Sequence, residues 1–251
     1  MRRVCSAACV GALLLGFAGN RTASAAPKSK IKAVAFDAFP IFDPRPVFAL
    51  AEKLFPGKGA DFCNDWRARQ FEYTWLRSMS HTYADFWQVT GDALTFAAKK
   101  QKLELSVEKR NQLMDAYLAL KPWPDALPAL RSLQKAGIRL VLLSNFTQPM
   151  LEANIKSSGL QGIFEQSLST DKLKTYKPDP RSYQMAMDAL GLQRDEILFV
   201  AFAGWDAAGT KAFGYRTLWV NRLNLPAEEL GAVPDATAAT LSGLERLVNQ
   251  P

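Results

Sequence analysis

Four short apolar runs punctuate the chain: IKAVAFDAF from residue 31, IRLVLLSN from 138, ILFVAFA from 197 and RTLWVN from 216. Each is nearly continuous in valine, isoleucine, leucine or phenylalanine instead of alternating with polar residues. That pattern predicts strands covered on both faces, as in parallel sheets. Between the later runs the apolar spacing lengthens to that of helices, in DALPALRSLQKAG with Gly137 as its stop, in QPMLEANIKSSG, and in DPRSYQMAMDALG with Asp179 and Pro180 as its start. Strand and helix in repeated alternation predict an α/β protein built on a doubly wound, Rossmann-like parallel sheet.

After the first run the pattern changes. DFCNDWRARQFEYTWLRSM, ADFWQVTGDALTFAAKKQKL and SVEKRNQLMDAYLAL carry Phe, Trp, Tyr and Leu at helical spacing, with no strand signature among them. This predicts a helical cap over 45–121 inserted into a core made of 26–44 and 122–251, with KPWPDALP as the return linker. No internal repeat or low-complexity segment is present.

The amino terminus departs from both patterns. MRRVCSAACVGALLLGFAGNRTASAAP begins with Arg2 and Arg3, runs through a short apolar stretch and ends on Ala23, Ser24 and Ala25. These are the marks of an export signal over 1–25, and the apolar run is shorter than the ~20 residues a membrane-spanning helix needs. The expected location is the periplasm or the medium, with no membrane attachment after processing. Without Arg2, Arg3 and Arg21 the formal net charge of +7 falls to +4. No basic block or aromatic-interleaved stripe accompanies it, so nucleic acid is not an expected partner.

Removing that leader also removes Cys5 and Cys9, leaving Cys63 on an apolar helix as an expected core filler and excluding an internal disulfide. The single histidine, His81, stands in SMSHTYADF, where a surface turn between helices is expected. Ser-His-Asp, Cys-His and ordinary zinc chemistry each require an imidazole or several thiols, so none fits. Any catalysis must run on carboxylates, lysine and arginine.

In an open parallel sheet, ligands bind beyond the carboxyl ends of the strands. The first run closes on Asp37, the second on Ser144 and Asn145, and the third is followed by Trp205 and Asp206; Lys177 stands in TYKPDPRSY just before a helix. Any one of these could be a helix cap or a turn residue. Asp37, Ser144, Lys177 and Asp206 at four strand-to-helix passages make a candidate site.

The stretches VAFDAFPIFD, WRARQFEYTWLRS, LLSN, YKPDPRSY and ILFVAFAGWDAAGTKAFGYRTLWVNR resemble the haloacid dehalogenase superfamily, and within it the type II (S)-2-haloacid dehalogenases, over residues 31 to 222. The resemblance implies a haloacid-dehalogenase-like core with a helical cap, a homodimer, a small 2-haloacid substrate, and hydrolytic dehalogenation with neither cofactor nor metal. Asp37 would attack the halogen-bearing carbon and form an ester that water then hydrolyses. Lys177 would hold Asp37 ionised. Ser144, with the amides following Asp37, would grip the substrate carboxylate, and Arg67 and Asn145 would receive the halide. Tyr183 and Asp206 match polar active-site positions, Asp206 being placed to assist water. Phe39, Phe71, Phe86 and Trp205 would wall the alkyl-halide end. The superfamily's phosphatase branch needs an aspartate two residues after the nucleophile and acidic residues near the last motif, where this chain has Phe39, Ala203 and Gly204.

Four positions leave the family pattern. Pro40 and Ile41 stand where glycine and threonine are usual, and Ala201 and Ala203 where serine and asparagine are usual. Removing mutually paired polar groups together can be nearly neutral, and Ile41 and Ala203 would compensate in volume if they faced each other. The expectation is a drier nucleophile whose ester is hydrolysed slowly. The alternatives are an altered member that binds a small carboxylate and a hydrolase of different substrate range on the same core.

Overall fold

A computed structural model of the chain describes residues 31–249. The export leader read over 1–25, with Cys5 and Cys9, lies outside the described residues. The chain opens with β1 (Ala33–Phe36) and β2 (Phe42–Asp43), then passes through α1 (Arg45–Leu54), α2 (Gly59–Met79), α3 (Phe86–Lys100) and α4 (Val107–Ala116) to β3 (Lys121–Pro122). There follow α5 (Ala126–Lys135), β4 (Arg139–Ser144), α6 (Gln148–Ser157), β5 (Gln166–Ser169) and α7 (Pro180–Leu190). β6 (Ile197–Ala201), α8 (Gly204–Phe213), β7 (Arg216–Val220), β8 (Ala236–Ala238) and α9 (Leu244–Asn249) complete it.

Six strands form one parallel sheet in the order β5-β4-β1-β6-β7-β8. The chain builds outward from β1 on one side through β4 and β5, then crosses to β6 on the other. β1 therefore lies at the reversal of strand order, where its carboxyl end opens into a crevice. Both faces of β1 are covered, which is why its sequence does not alternate: Val34 and Phe36 enter one apolar core, Ala33 and Ala35 the other. α5 and α6 cover the first face through Leu130, Leu133, Met150 and Leu151. α7 contributes Tyr183, Ala186 and Leu190 to the second.

The four apolar runs are the four inner strands. β5 and β8, which the pattern did not announce, are the two edges of the sheet. Their sequences, QSLS and ATA, are short, and β5 is exposed at Gln166. Helix boundaries follow the expected chemistry. Asp179 accepts the amide of Arg181 at 2.9 Å ahead of α7, Pro180 is its first residue, and Gly191 ends it with φ +63°. Replacing such an N-cap aspartate with alanine typically costs about 1 kcal/mol.

The helices α1–α4 lie between β2 and β3, which pair antiparallel through Phe42 with Pro122 and Asp43 with Lys121. α2 is fixed to α3 by two side chains: the indole N–H of Trp66 donates to the carbonyl of Thr90 at 2.9 Å, and Gln70 donates to its hydroxyl at 2.6 Å. Cys63, on α2, is buried in the core, and burial pushes its thiol up to about 12. His81 is exposed in the turn after α2. Among the described residues no helix is long and apolar enough to cross a membrane.

Candidate active site

Asp37 is the first residue beyond β1 and is only 8% exposed. Its Oδ1 accepts from Lys177 Nζ at 2.7 Å, and its Oδ2 accepts from the amide of Phe39 at 3.2 Å. Lys177 is itself buried, and its ammonium also donates to Asp206 Oδ2 at 2.7 Å. Tyr183 donates its hydroxyl to the other oxygen of Asp206 at 2.8 Å. The result is a buried chain running Asp37, Lys177, Asp206, Tyr183, drawn from the end of β1, the first turn of α8, α7 and the loop before it.

The electrostatics follow from that packing. Burial alone would lower the pKa of Lys177, but the adjacent Asp206 and Asp37 outweigh it and hold the ammonium above the ordinary lysine value. Burial raises the pKa of Asp206; Lys177 opposes this and Asp37 reinforces it. Asp206 also lies in the first turn of α8, where the helix dipole favours a carboxylate. Burial lifts Tyr183 well above the ordinary phenol value, with Asp206 adding to the shift, so its proton stays in place. Asp206 is ionised in this arrangement, because two donors occupy its two oxygens.

Asn145 is locked through its Oδ1, which accepts from the amide of Lys177 at 2.9 Å and from Thr170 at 3.2 Å. Its Nδ2 donor is left to the cavity it lines. Ser144 accepts the amide of Phe146 at 3.2 Å, so its own hydroxyl proton is free to donate.

These groups open onto a cavity whose volume, open to the centre of a water molecule, is about 40 Å³. This exceeds the roughly 10–15 Å³ that holds one water and suits a ligand of a few heavy atoms. Phe39, Phe71, Phe86 and Trp205 all line it, as expected. The edge of Trp205 meets Phe71, with centroids 5.3 Å apart, and Phe39 meets Phe146 edge-on at 5.3 Å. Arg67, from α2, faces the same cavity with no carboxylate within ion-pair distance among the described residues. Burial lowers its pKa, with Tyr117 opposing, yet a guanidinium remains charged at any physiological pH. An unpaired cation against an aromatic wall is an anion receptor.

Tyr183 stands one bond behind the cavity wall, as the partner of Asp206. Ile41 is fully buried in the core and forms no part of the cavity wall, whereas Ala203 does, so the expected compensation across the pocket is not made. Gln70, Tyr117, Trp123, Phe146 and Phe202 line the cavity without having been singled out. The first was within reach, since Arg67, Gln70 and Phe71 are three and four residues apart and share a helical face. The others sit on loops where only the fold brings them together. Among the described residues no three His, Cys, Asp or Glu side chains converge as metal ligands.

The haloacetate dehalogenase H-2 of Moraxella sp. (strain B) is 39% identical over 220 residues, covering 87% of this chain and 98% of that protein. The (S)-2-haloacid dehalogenase of Pseudomonas sp. (strain YL) is 40% identical over 218 residues, covering 86% and 94%. The structure of the L-2-haloacid dehalogenase from Xanthobacter autotrophicus with chloropropionic acid covalently bound superposes with a TM-score of 0.81 at 34% identity, covering 87% of this chain and 98% of that one. The family model for haloacid dehalogenase-like hydrolases matches residues 31–214, a span that runs from the strand carrying Asp37 to the helix carrying Asp206. On sequence and on fold alike, the chain belongs to the haloacid dehalogenase-like hydrolases.

Proposed function

We propose that this enzyme hydrolyses short (S)-2-haloalkanoic acids to 2-hydroxy acids, with Asp37 as nucleophile. The observation that carries the assignment is a buried carboxylate tied at one oxygen by Lys177, facing a small aromatic cavity that also holds Arg67, which has no carboxylate partner among the described residues. Oδ1 is committed to an ammonium, whereas Oδ2 accepts only one long amide hydrogen bond. Oδ2 is therefore the oxygen available for attack, and a desolvated carboxylate needs no base to act.

In the first step Oδ2 forms a bond to C2 of the acid with inversion, and the carbon–halogen bond breaks with its electron pair leaving on the halide. Arg67 and the Asn145 amide stabilise that developing anion. Ser144 donates to the substrate carboxylate. In the second step water adds to the carbonyl carbon of the Asp37 ester, the bond to the alkoxy oxygen breaks as that oxygen takes one proton of the water, and the hydroxy acid leaves with Asp37 restored as a carboxylate and the second proton released to solvent. Each oxygen of Asp206 already accepts a hydrogen bond, from Lys177 and from Tyr183, and Ala201 and Ala203 offer no polar side chain to share in holding that water. Hydrolysis of the ester is accordingly the slow step. The relatives named above support the substrate class.

Halide release from (S)-2-chloropropionate by the wild type, lost by at least about 10⁴-fold in Asp37→Asn, is the expected result. Mass spectrometry of the intact protein during turnover should show an adduct on Asp37. Equal release by both proteins would remove Asp37 from the chemistry, and turnover without any adduct would refute slow ester hydrolysis.

The reading extends to the setting of the enzyme. The leader over 1–25 supports export to the periplasm or medium, and the family resemblance supports a homodimer, with the helices of 45–121 as cap. Amino-terminal sequencing of the protein from fractionated cells and light scattering in solution test the first two.

A further inference from the structure

The turn after Asp37 is held by its carbonyls. The carbonyl of Phe39 accepts from the indole N–H of Trp123 at 2.9 Å, that of Pro40 from Arg222 Nη2 at 2.9 Å, and that of Ile41 from the amide of Trp123 at 2.9 Å. Three consecutive acceptors thus end on one cluster, which is itself braced. The guanidinium of Arg222 lies over the Trp123 ring, 4.3 Å from its centroid, and the guanidinium of Arg45 lies over the same ring at 4.4 Å. Asp125 pairs with Arg222 Nη1 at 3.1 Å and accepts the amide of Leu241 at 2.6 Å. The Arg222 side chain is 4% exposed, although its residue sits in the irregular segment after β7.

We infer that Arg222, braced by Trp123 and Asp125, is a positioning residue that sets the aim of the Asp37 carboxylate. Pro40 cannot donate a hydrogen bond and fixes its own φ, so the turn has one fewer amide with which to anchor itself. The amides of Ile41 and Phe42 reach back to the Ala38 carbonyl at 3.1 and 2.9 Å, whereas the carbonyls of Phe39 and Pro40 are oriented by donors outside the turn. The amide of Phe39, one residue before those peptides, is the group that holds Asp37 Oδ2. Releasing Pro40 from Arg222 frees the turn to rotate and moves that amide away from the attacking oxygen. Arg222 does not line the cavity, so substrate affinity does not depend on it directly. The inference rests on the proposed role of Asp37, and its test includes a readout that does not.

Arg222→Met and Arg222→Lys are compared with the full-length wild type. Hydrogen exchange at the Phe39 and Ile41 amides, read by NMR without ligand, is expected to rise at least tenfold in Arg222→Met, with the amides of β4 and β6 unchanged. Rapid mixing with (S)-2-chloropropionate is expected to show ester formation slowed at least tenfold at saturating substrate, with the substrate dissociation constant from the same concentration series altered less than twofold. Arg222→Lys, which keeps one donor and the charge, should recover part of both. Unchanged exchange at Phe39 overturns the inference whatever the activity. So does exchange that rises equally across the sheet, or a loss confined to the substrate dissociation constant with the rate of ester formation unchanged. A wild type that forms no ester defeats the proposed chemistry alone, and the exchange result still decides the role of Arg222.

Discussion

At the floor of the cavity every charge is answered: Lys177 sits between Asp37 and Asp206 at 2.7 Å from each, and Tyr183 closes the series. Across the cavity Arg67 has no carboxylate partner among the described residues. The floor is organised before anything binds, so little reorganisation is needed when charge moves there. The opposite wall holds its charge in reserve for an arriving anion. Buried ions are tolerated when they are paired. An unpaired one signals that the missing partner is the ligand.

The comparison breaks most severely at its centre. Lys177→Met leaves two carboxylates buried without their counter-ion, and should cost about 3–5 kcal/mol of stability and about 10³-fold in kcat, read by thermal unfolding and halide release. Arg67→Met tests the other wall. About 10²–10³-fold should be lost from kcat/KM with stability unchanged or improved, because a half-buried cation without a carboxylate partner among the described residues has been removed. A loss of stability there would show that Arg67 was structural after all.

The pH profile sharpens the contrast further. Lys177 is held above the ordinary lysine value, so the stability it contributes is complete below about 10.4 and is lost only as pH rises through its raised pKa. Asp206 is raised as well, so it takes up a proton above the ordinary carboxylate range, near 3.9, as pH falls, and releases the hydrogen bond from Tyr183 or Lys177. Halide-release rates should therefore be flat through neutrality, decline on the acid side above the usual aspartate pKa, and fail on the alkaline side only beyond the usual lysine pKa. The smallest effect is expected from Tyr183→Phe. It strips one donor from a buried charged acceptor, about 1.5–3 kcal/mol in stability measured by denaturant unfolding, with the substrate KM unmoved because Tyr183 is outside the cavity.

The inner strands were legible because burial on both faces leaves an unbroken apolar run, as in ILFVA of β6. β5 was not, because an edge strand facing solvent can be written QSLS. That omission hid the strand whose end leads to Lys177, yet Lys177 itself was found from its place before a helix. Polar residues closing apolar runs identified Asp37, Ser144 and Asp206. What they bond to could not be read the same way. The partnership of Asp206 with Tyr183 joins residues 23 positions apart, and that of Lys177 with Asp37 joins residues 140 apart. Nor was the aromatic lining from Tyr117, Trp123, Phe146 and Phe202 visible, since none of these lies on an element with a face to declare it.

The polypeptide departs into α1–α4 and comes back through two strands paired residue against residue, Phe42 with Pro122 and Asp43 with Lys121. Both ends of that excursion are thus stitched at one point, and a swing about the stitch would carry Arg67, Phe71 and Phe86 away together while Asp37 and Lys177 stayed on the sheet. Capture of an anion and assembly of the reacting pair would then be a single event, and an enzyme lying open would be spared from alkylating its own carboxylate on the wrong molecule.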